Sequence, residues 1–298
     1  MLSKEMQWRI KNAISQNKFI RTPRLFLMPL AVSDATEMFK WAGDPEVNHF
    51  MSYAIYHNVD EVKAWLANRK EYLGTFGFFL QDGQLIGCGD VGMDHTGQHS
   101  MGYNLAKVYW GNGYCTEACK AMLAHAVEVL GVHDFTCGPA TANLRSQRVV
   151  EKCGFTFQYF DSYEKSDGSQ TFESKEYSLH VDLHQMNLDD EPFCQIANGH
   201  KTIELRLDDE RRQNLKIGDY ITFTNNQSSE KIVAKIKALH KFPNFAELYK
   251  SLDLTKCGYS PDQLATASPQ DMLKYYPAEK QAQYGVLGIE IQLLCMLG

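Results

Sequence analysis

The chain has 298 residues, a length that suits two domains of about 150 residues each. It carries 30 Lys+Arg against 36 Asp+Glu, a formal charge of −6, with 44% hydrophobic and 22% charged residues. That composition is ordinary for a folded protein and excludes a disordered one. The acidic surplus argues against non-specific nucleic-acid binding, which needs cations to neutralise phosphates, and leaves room only for a local basic patch. No run of about 18 apolar residues exists, so no membrane span is expected. The start, MLSKEMQWRIKNAISQ, lacks the apolar core of a secretory signal. The eight cysteines are scattered without a C-x-x-C pair, which predicts thiols in a cytoplasmic protein and no metal site. Cys115 and Cys119 lie four apart, but no His or second Cys pair completes a zinc pattern.

In chain order, a helix is expected over 3–18, then a strand over Arg24–Leu30. Ser33 or Asp34 caps a helix running to about Ala42, which Asp44-Pro45 breaks. A second helix near 59–73 carries Val62, Trp65, Leu66 and Leu73 on one side. Phe76–Leu80 and Leu85–Met93 read as a hairpin around Asp82-Gly83, and Ser100–Leu105 as the next strand. A long helix over 113–130 stops at Gly131, followed by a strand near 132–138 and a helix near 144–153. A last hairpin joins Phe155–Tyr163 to Thr171–Leu179. This mixed order suits an α+β layer fold. Beyond about residue 181 the pattern changes. Strands are expected at Leu183–Leu188, Lys201–Leu207, Tyr220–Thr224, Lys231–Leu239 and Gly285–Leu294, with one short helix at Phe245–Leu252. Several strands with few helices suggest a small β-barrel. The domains are therefore set at 1–181 and 182–298.

The sharpest local feature is Val108-Tyr109-Trp110-Gly111-Asn112-Gly113-Tyr114-Cys115-Thr116-Glu117-Ala118, two glycines between a strand and a long helix. Glycine allows a positive φ and lets backbone approach a ligand. The open N–H groups and dipole of a helix start favour an anion such as a pyrophosphate. A tight strand-to-helix turn explains the same residues without a ligand. The run is neither a dinucleotide G-x-G-x-x-G nor a P-loop.

The surrounding blocks resemble the GNAT superfamily of acetyl-CoA-dependent N-acetyltransferases, closest to the branch that acetylates ribosomal-protein N-termini. The resemblance covers about 20–180. It rests on Thr22–Leu30 with Asp34 and Asp44–Val47, on Trp110–Ala118, on Leu130-Gly131-Val132 with Asn143–Ser146, and on Glu151–Phe155. It implies a mixed-sheet GNAT fold and acetyl-CoA as co-substrate. It further implies that backbone N–H groups of Tyr109, Trp110, Gly111, Asn112, Gly113 and Tyr114 hold the coenzyme pyrophosphate and that Asn143 bonds the pantetheine arm. Thr116 and Glu117 contact phosphate or support the turn. Many relatives carry a Tyr seven residues after the motif Asn to protonate the leaving thiolate; here Val150 stands there, and Ser146 occupies the alternative position used in the ribosomal-protein branch. That branch's central-strand Glu-x-Gly-Tyr reads Ser100-Met101-Gly102-Tyr103, without the glutamate. Where relatives often have Gln or Arg before the glycines, this chain has Val108. The implied chemistry is direct attack by an amine on the thioester, with a base to take the amine proton. Asp90, Asp94 and His95 follow the strand bordering the substrate cleft, and each is a candidate; Asp90 heads that set.

A second feature is Gly199-His200-Lys201-Thr202-Ile203-Glu204-Leu205-Arg206, with Thr202, Glu204 and Arg206 on one strand face and Ile203, Leu205 and Leu207 on the other. Such a face is either solvated or lines a polar pocket in which Arg206 binds a carboxylate, phosphate or base edge. The stretch resembles the ASCH domain, a relative of the PUA RNA-binding barrel, over about 183–294. The match includes Glu191-Pro192-Phe193 with Ile196, Lys216–Asp219 and Tyr284–Ile289. The resemblance implies that RNA or a nucleotide-like ligand binds in a cleft lined by Lys201, Thr202, Glu204 and Arg206. A small bacterial member hydrolyses N4-acetylcytidine with a Lys, a Thr nucleophile and a Glu; Lys201 matches that Lys, but Glu204 stands at the nucleophile position.

The expected function is an acetyl-CoA-dependent N-acetyltransferase acting on an amine acceptor, fused to a module for RNA or a nucleotide-like ligand. One alternative is an RNA-binding protein with an inactive acetyltransferase fold, and another is an amidohydrolase of acetylated nucleosides. Residues 183–298 hold 13 Lys+Arg against 15 Asp+Glu, a charge of −2, leaving −4 for the rest. Neither half is a polycation, so an RNA role narrows to a local pocket.

Overall fold

The computed structural model describes residues 2–68, 75–94 and 96–298. Leu73 and His95 lie outside the described residues. The chain divides into two compact units, Met1–Val181 with Leu297–Gly298, and Asp182–Met296.

In the first unit, α1 (Lys4–Ser15) is capped by Ser3, whose side chain accepts from the Met6 N–H. It leads into β1 (Ile20–Arg21) and β2 (Leu25–Met28). Next come α2 (Ala35–Ala42) and α3 (Val59–Asn68). The Asp34 side chain does not cap α2; it receives Arg9 in a bidentate pair of 2.7 and 2.8 Å and the Ala31 N–H. In α3, Val62 and Leu66 are buried, but Trp65 is 36% exposed rather than on the inner face the spacing predicts. The hairpin β3 (Phe76–Leu80) and β4 (Leu85–Met93) is followed by β5 (His99–Leu105), α4 (Tyr114–Leu130), β6 (Asp134–Cys137) and α5 (Leu144–Cys153). Gly131, at φ +66, ends α4, a left-handed cap that glycine adopts without a Cβ clash. The hairpin β7 (Thr156–Glu164) and β8 (Thr171–His180) completes the unit. Its sheet runs β1-β2-β3-β4-β5-β6-β8-β7. Every neighbouring pair is antiparallel except β5 and β6.

The second unit contains β9 (Leu183–Leu188), α6 (Asp190–Ala197), β10 (Ile203–Leu207), β11 (Tyr220–Asn225) and β12 (Lys231–Phe242). After these come α7 (Phe245–Ser251), α8 (Pro261–Leu264), α9 (Ala278–Tyr284) and β13 (Val286–Leu297). The strand order is β10-β13-β12-β11-β9, with β9 and β11 parallel. An Arg206 N–H donates to the Asn187 carbonyl at 2.8 Å, joining the two outer strands β10 and β9 by a side chain. The sheet therefore curls toward itself, as a small PUA-like barrel requires. Phe193 and Ile196 of α6 close one apolar cluster with β11, β12 and β13. Phe245 and Leu248 of α7 close another with β10. The sequence pattern shows no α6, α8 or α9, because each is too short to display a helical period.

Candidate functional site

The parallel pair β5 and β6 is registered only at His99–Phe135 and Ser100–Thr136. Beyond that the strands part. Gly138-Pro139 follows β6, and proline has no N–H to continue a ladder. The Cys137 thiol donates to the Met101 carbonyl at 3.3 Å, at the point of divergence. A cleft of about 1160 Å³ fills the opening. Met101–Leu105 and Cys137–Ala140 line it from the two sides. Tyr109, Trp110, Gly111, Gly113, Cys115 and Thr116 line it from the glycine loop. Asn143–Ser146 complete the wall from α5, and Pro45–Val47 with His49–Ser52 add a further wall.

The glycine loop is built by a latch from the first strand region. Glu117 of α4 receives the Thr22 hydroxyl at 2.7 Å, the Arg24 N–H at 3.0 Å and the Arg24 Nε at 2.6 Å. Arg24 also donates to the Asn112 carbonyl at 2.9 Å and lies over the Tyr114 ring at 4.5 Å. Glu117 is thus occupied in holding the turn. Gly111 and Gly113 both have φ +80, so a Cβ would be strained at either position. The first helical bond runs from the Glu117 N–H to the Gly113 carbonyl. The Tyr109 and Trp110 N–H groups are spent on Ala106 and Lys107 carbonyls. The donors without backbone partners among the described residues are therefore 111–116, shifted along from the expected 109–114. Trp110 instead offers its ring, bonded through Nε1 to the Leu105 carbonyl at 2.7 Å and covered by Arg145 at 4.7 Å. Asn112 folds its amide back onto the Tyr109 and Trp110 carbonyls. Val108 is 81% exposed and does not line the cleft.

Asn143 caps α5, its Oδ1 accepting the Ser146 N–H at 3.1 Å. Ser146 Oγ lies 2.7 Å from the Tyr103 hydroxyl, which also donates to the Ser146 carbonyl at 3.1 Å. Burial pushes the Tyr103 phenol well up, so it stays protonated. Val150, at the place of the missing Tyr, is fully buried core.

Tyr103 and Asp90 lie on opposite faces of the β4–β5 ladder. Asp90 pairs with Gly102, and Gly89 with Tyr103. A Cβ on Gly89 would meet Met122 of α4, so the Tyr103 face looks toward the helices of the glycine loop and α5. A Cβ on Gly102 would come within 2.8 Å of Asp90 Oδ1; the glycine makes room for that carboxylate. Burial raises Asp90 from 3.8 to about 6. Asp94 is taken up in its own turn, accepting from Thr96 and Gln98.

In the second unit a pocket of about 470 Å³ is lined by Lys201, Glu204 and Arg206, with Tyr259, Tyr275, Tyr276 and Cys257. Lys201 Nζ lies 3.0 Å from one Glu204 oxygen and Arg206 Nε 2.8 Å from the other. Burial alone would raise the Glu204 pKa, but the two cations outweigh it and hold it below its ordinary value. Thr202 does not line the pocket. Its backbone is bonded to Lys256 and Ile291. No Ser or Thr hydroxyl lines it among the described residues. Cys257 is pushed up to about 11 by burial, which leaves it a poor nucleophile.

Residues 24–156 match the acetyltransferase (GNAT) domain model, and residues 186–294 match the ASCH domain model. The chain joins a GNAT domain to an ASCH domain. The first unit is similar to the FsC-acetyl coenzyme A-N(2)-transacetylase of Aspergillus fumigatus, 26% identical over 161 residues, covering 49% of this chain and 68% of that protein. It is also similar to the uncharacterized N-acetyltransferase p20 of Bacillus licheniformis, 23% identical over 167 residues, covering 49% of this chain and 88% of that one. A solved GNAT-family acetyltransferase from Bacillus anthracis aligns at 18% identity over 54% of this chain and 98% of its own, with a TM-score of 0.48.

The GNAT domain is an acetyl-CoA-dependent N-acetyltransferase domain, and acetyl-CoA is its co-substrate. The cleft fits that molecule. It offers the open N–H groups of 111–116, and Arg145, Arg148 and Lys152 against one lining carboxylate, Glu46. No described helix is long and apolar enough to cross a membrane. Sequence reasoning missed Arg24, Tyr103 and Asn104 of the GNAT domain and the tyrosines of the ASCH pocket. Tyr103 and Asn104 did leave a signal: two adjacent polar side chains inside a central strand, which must face opposite sides of the sheet.

Proposed function

We propose that the GNAT domain transfers an acetyl group to an amine by direct attack in a ternary complex, within the opening between β5 and β6. The observation that carries this is the placement of a base and a hydroxyl pair on opposite faces of one strand pair. Asp90, unpartnered among the described residues and raised to about 6, takes the amine proton, directly or through water. Ser146, held by Tyr103, stands beside the glycine-loop wall, and its hydroxyl turns from the Tyr103 oxygen to donate a hydrogen bond to the departing thiolate. N–H groups of 111–116 hold the coenzyme pyrophosphate, and the Asn143 amide nitrogen bonds the pantetheine arm. The loss of Tyr at position 150 does not imply an inactive fold, because Tyr103 brings a phenol to Ser146 from the neighbouring strand. Calorimetry with acetyl-CoA, followed by a two-substrate rate matrix over amines, tests the reading. Intersecting reciprocal plots support it; absent micromolar acetyl-CoA binding, or ping-pong kinetics, overturns it.

For the ASCH domain, the pocket around Glu204 supports binding of RNA or a nucleotide-like ligand over hydrolysis. Tyr275, 54% exposed at its rim, offers a ring on which a base stacks, and Arg206 offers donors. A short single-stranded RNA should bind, and Tyr275→Ala should weaken it at least fivefold; equal affinity overturns this assignment. Release of acetate from N4-acetylcytidine by the purified protein would instead favour the hydrolase.

A further inference from the structure

The GNAT cleft contains one buried polar side chain whose hydrogen bonding is unfinished. Asn104 is only 7% exposed and lines the cleft on the face of β5 shared with Asp90. Its orientation follows from its neighbours. Asn48 donates through Nδ2 to three carbonyls, those of Trp41 at 2.6 Å, Ala42 at 3.1 Å and Asp44 at 2.8 Å. Asn48 Oδ1 must then face the other way. It accepts from the Tyr53 hydroxyl at 3.1 Å and from Asn104 Nδ2 at 3.2 Å. Tyr53 has given its only proton to Asn48, so its oxygen can only accept, and Asn104 Nδ2 donates to it at 2.8 Å. Burial raises the Tyr53 phenol strongly, which keeps that proton in place. Flipping the Asn104 amide would set its oxygen against Asn48 Oδ1 and leave only the Tyr53 proton for the two oxygens. Both its N–H groups are therefore committed, and Oδ1 is left without a partner among the described residues.

The wall beside it is apolar. His49 packs edge-on against Phe50 at 4.4 Å, and Phe50 against Phe172 at 5.4 Å. Tyr163 closes the group, its hydroxyl donating to the Phe50 carbonyl. The one carboxylate lining the cleft among the described residues, Glu46, is paired with Lys107.

We propose that Asn104 Oδ1 accepts an N–H of the acceptor amine and aims its lone pair at the opening, and that the acceptor is a singly charged amine flanked by an apolar group. The inference rests on acetyl transfer taking place in this cleft. Asp90 is engaged as the base and Glu46 is paired with Lys107, so a polycationic amine finds no further carboxylate among the described residues of this cleft to receive its other charges. An apolar flank finds the ring wall.

The test uses the full chain, leucinamide and spermidine as acceptors, and saturating acetyl-CoA. Leucinamide should be acetylated with the higher kcat/KM. Asn104→Ala should raise the leucinamide KM about tenfold or more while leaving acetyl-CoA binding unchanged by calorimetry. Tyr53→Phe keeps the Asn104 oxygen but releases its anchor, and should raise the same KM severalfold. If Asn104→Ala fails to fold, Tyr53→Phe decides alone. An unchanged leucinamide KM in the folded variants, or a preference for spermidine, overturns the inference. So does acetyl-CoA binding without acetylation of either amine. Absence of acetyl-CoA binding would instead mark failure of the transferase reading.

Discussion

Replacing Asp90 with Asn separates catalysis from stability, because the two should move in opposite directions. Burial, with no partner among the described residues, raises this carboxyl from 3.8 to about 6. Between those values the folded chain holds the proton more tightly than the unfolded chain. The contribution of Asp90 is therefore most favourable below about pH 4, falls as pH rises through about 6, and levels off above. The gap corresponds to roughly 3 kcal/mol of cost at pH 8, as an upper figure. Asp90→Asn removes the charge and keeps the shape. At pH 8 it should raise the melting temperature of the GNAT domain by about 5–10 °C, given roughly 2–4 °C per kcal/mol for a unit of this size. At pH 4 the gain should vanish. Turnover should fall by about 10²–10⁴, the range for a lost general base, and the rate limb near pH 6 should disappear. The assays are melting scans at the two pH values and initial rates from pH 5 to 9. A variant that is no more stable at pH 8, or that keeps full turnover, would refute the argument.

Gly113→Trp should abolish acetyl-CoA binding in calorimetry, since it fills the glycine cradle and demands φ +80 of a bulky residue; an unchanged dissociation constant would show the loop to be only a turn. Asn143→Ala should weaken coenzyme binding and cost about 1 kcal/mol from the lost cap. Asn143→Asp, which keeps an oxygen for the Ser146 N–H, should retain the stability and still bind coenzyme weakly. Lys201→Met leaves Glu204 buried with one cation and should destabilise the ASCH domain by about 3–5 kcal/mol in urea melts. In the natural protein the stabilisation from Glu204 is full above about its unfolded value of 4.5 and is lost as pH falls through its lower folded value, so acid melts should show it.

The order of strands and helices in the GNAT domain was legible because long periodic stretches such as Tyr114–Leu130 dominate it. The glycine loop was legible too, since Gly111 and Gly113 sit where a strand gives way to a helix. What stayed hidden was set by contacts far apart in sequence. Glu117 reaches Thr22 and Arg24 across more than ninety residues, and nothing local marks that latch. The shift of the open donors to 111–116 depends on a short turn over Lys107–Tyr109 that consumes two N–H groups. The outward Trp65 shows the limit of spacing alone, because within Val59–Asn68 only Val62 and Leu66 are buried, a face narrower than the apolar pattern. In the ASCH domain, Thr202 was grouped with Glu204 and Arg206 by alternation. The strand begins only at Ile203, so the alternation does not extend back to it.

The parting of β5 and β6 also has a mechanical consequence. Among the described residues, two registered pairs, at His99 and Ser100, are the only ladder rungs joining β1–β5 to β6–β8. The backbone ladder of the GNAT sheet is therefore thin at this one junction. A molecule lodged in the gap and bonded to both edges works as a strut between them. Its binding energy stiffens the whole unit: a ligand at a hundred times its dissociation constant adds about 2.7 kcal/mol of stability. On the proposed reading the co-substrate supplies a tie between β5 and β6 that the backbone ladder does not make.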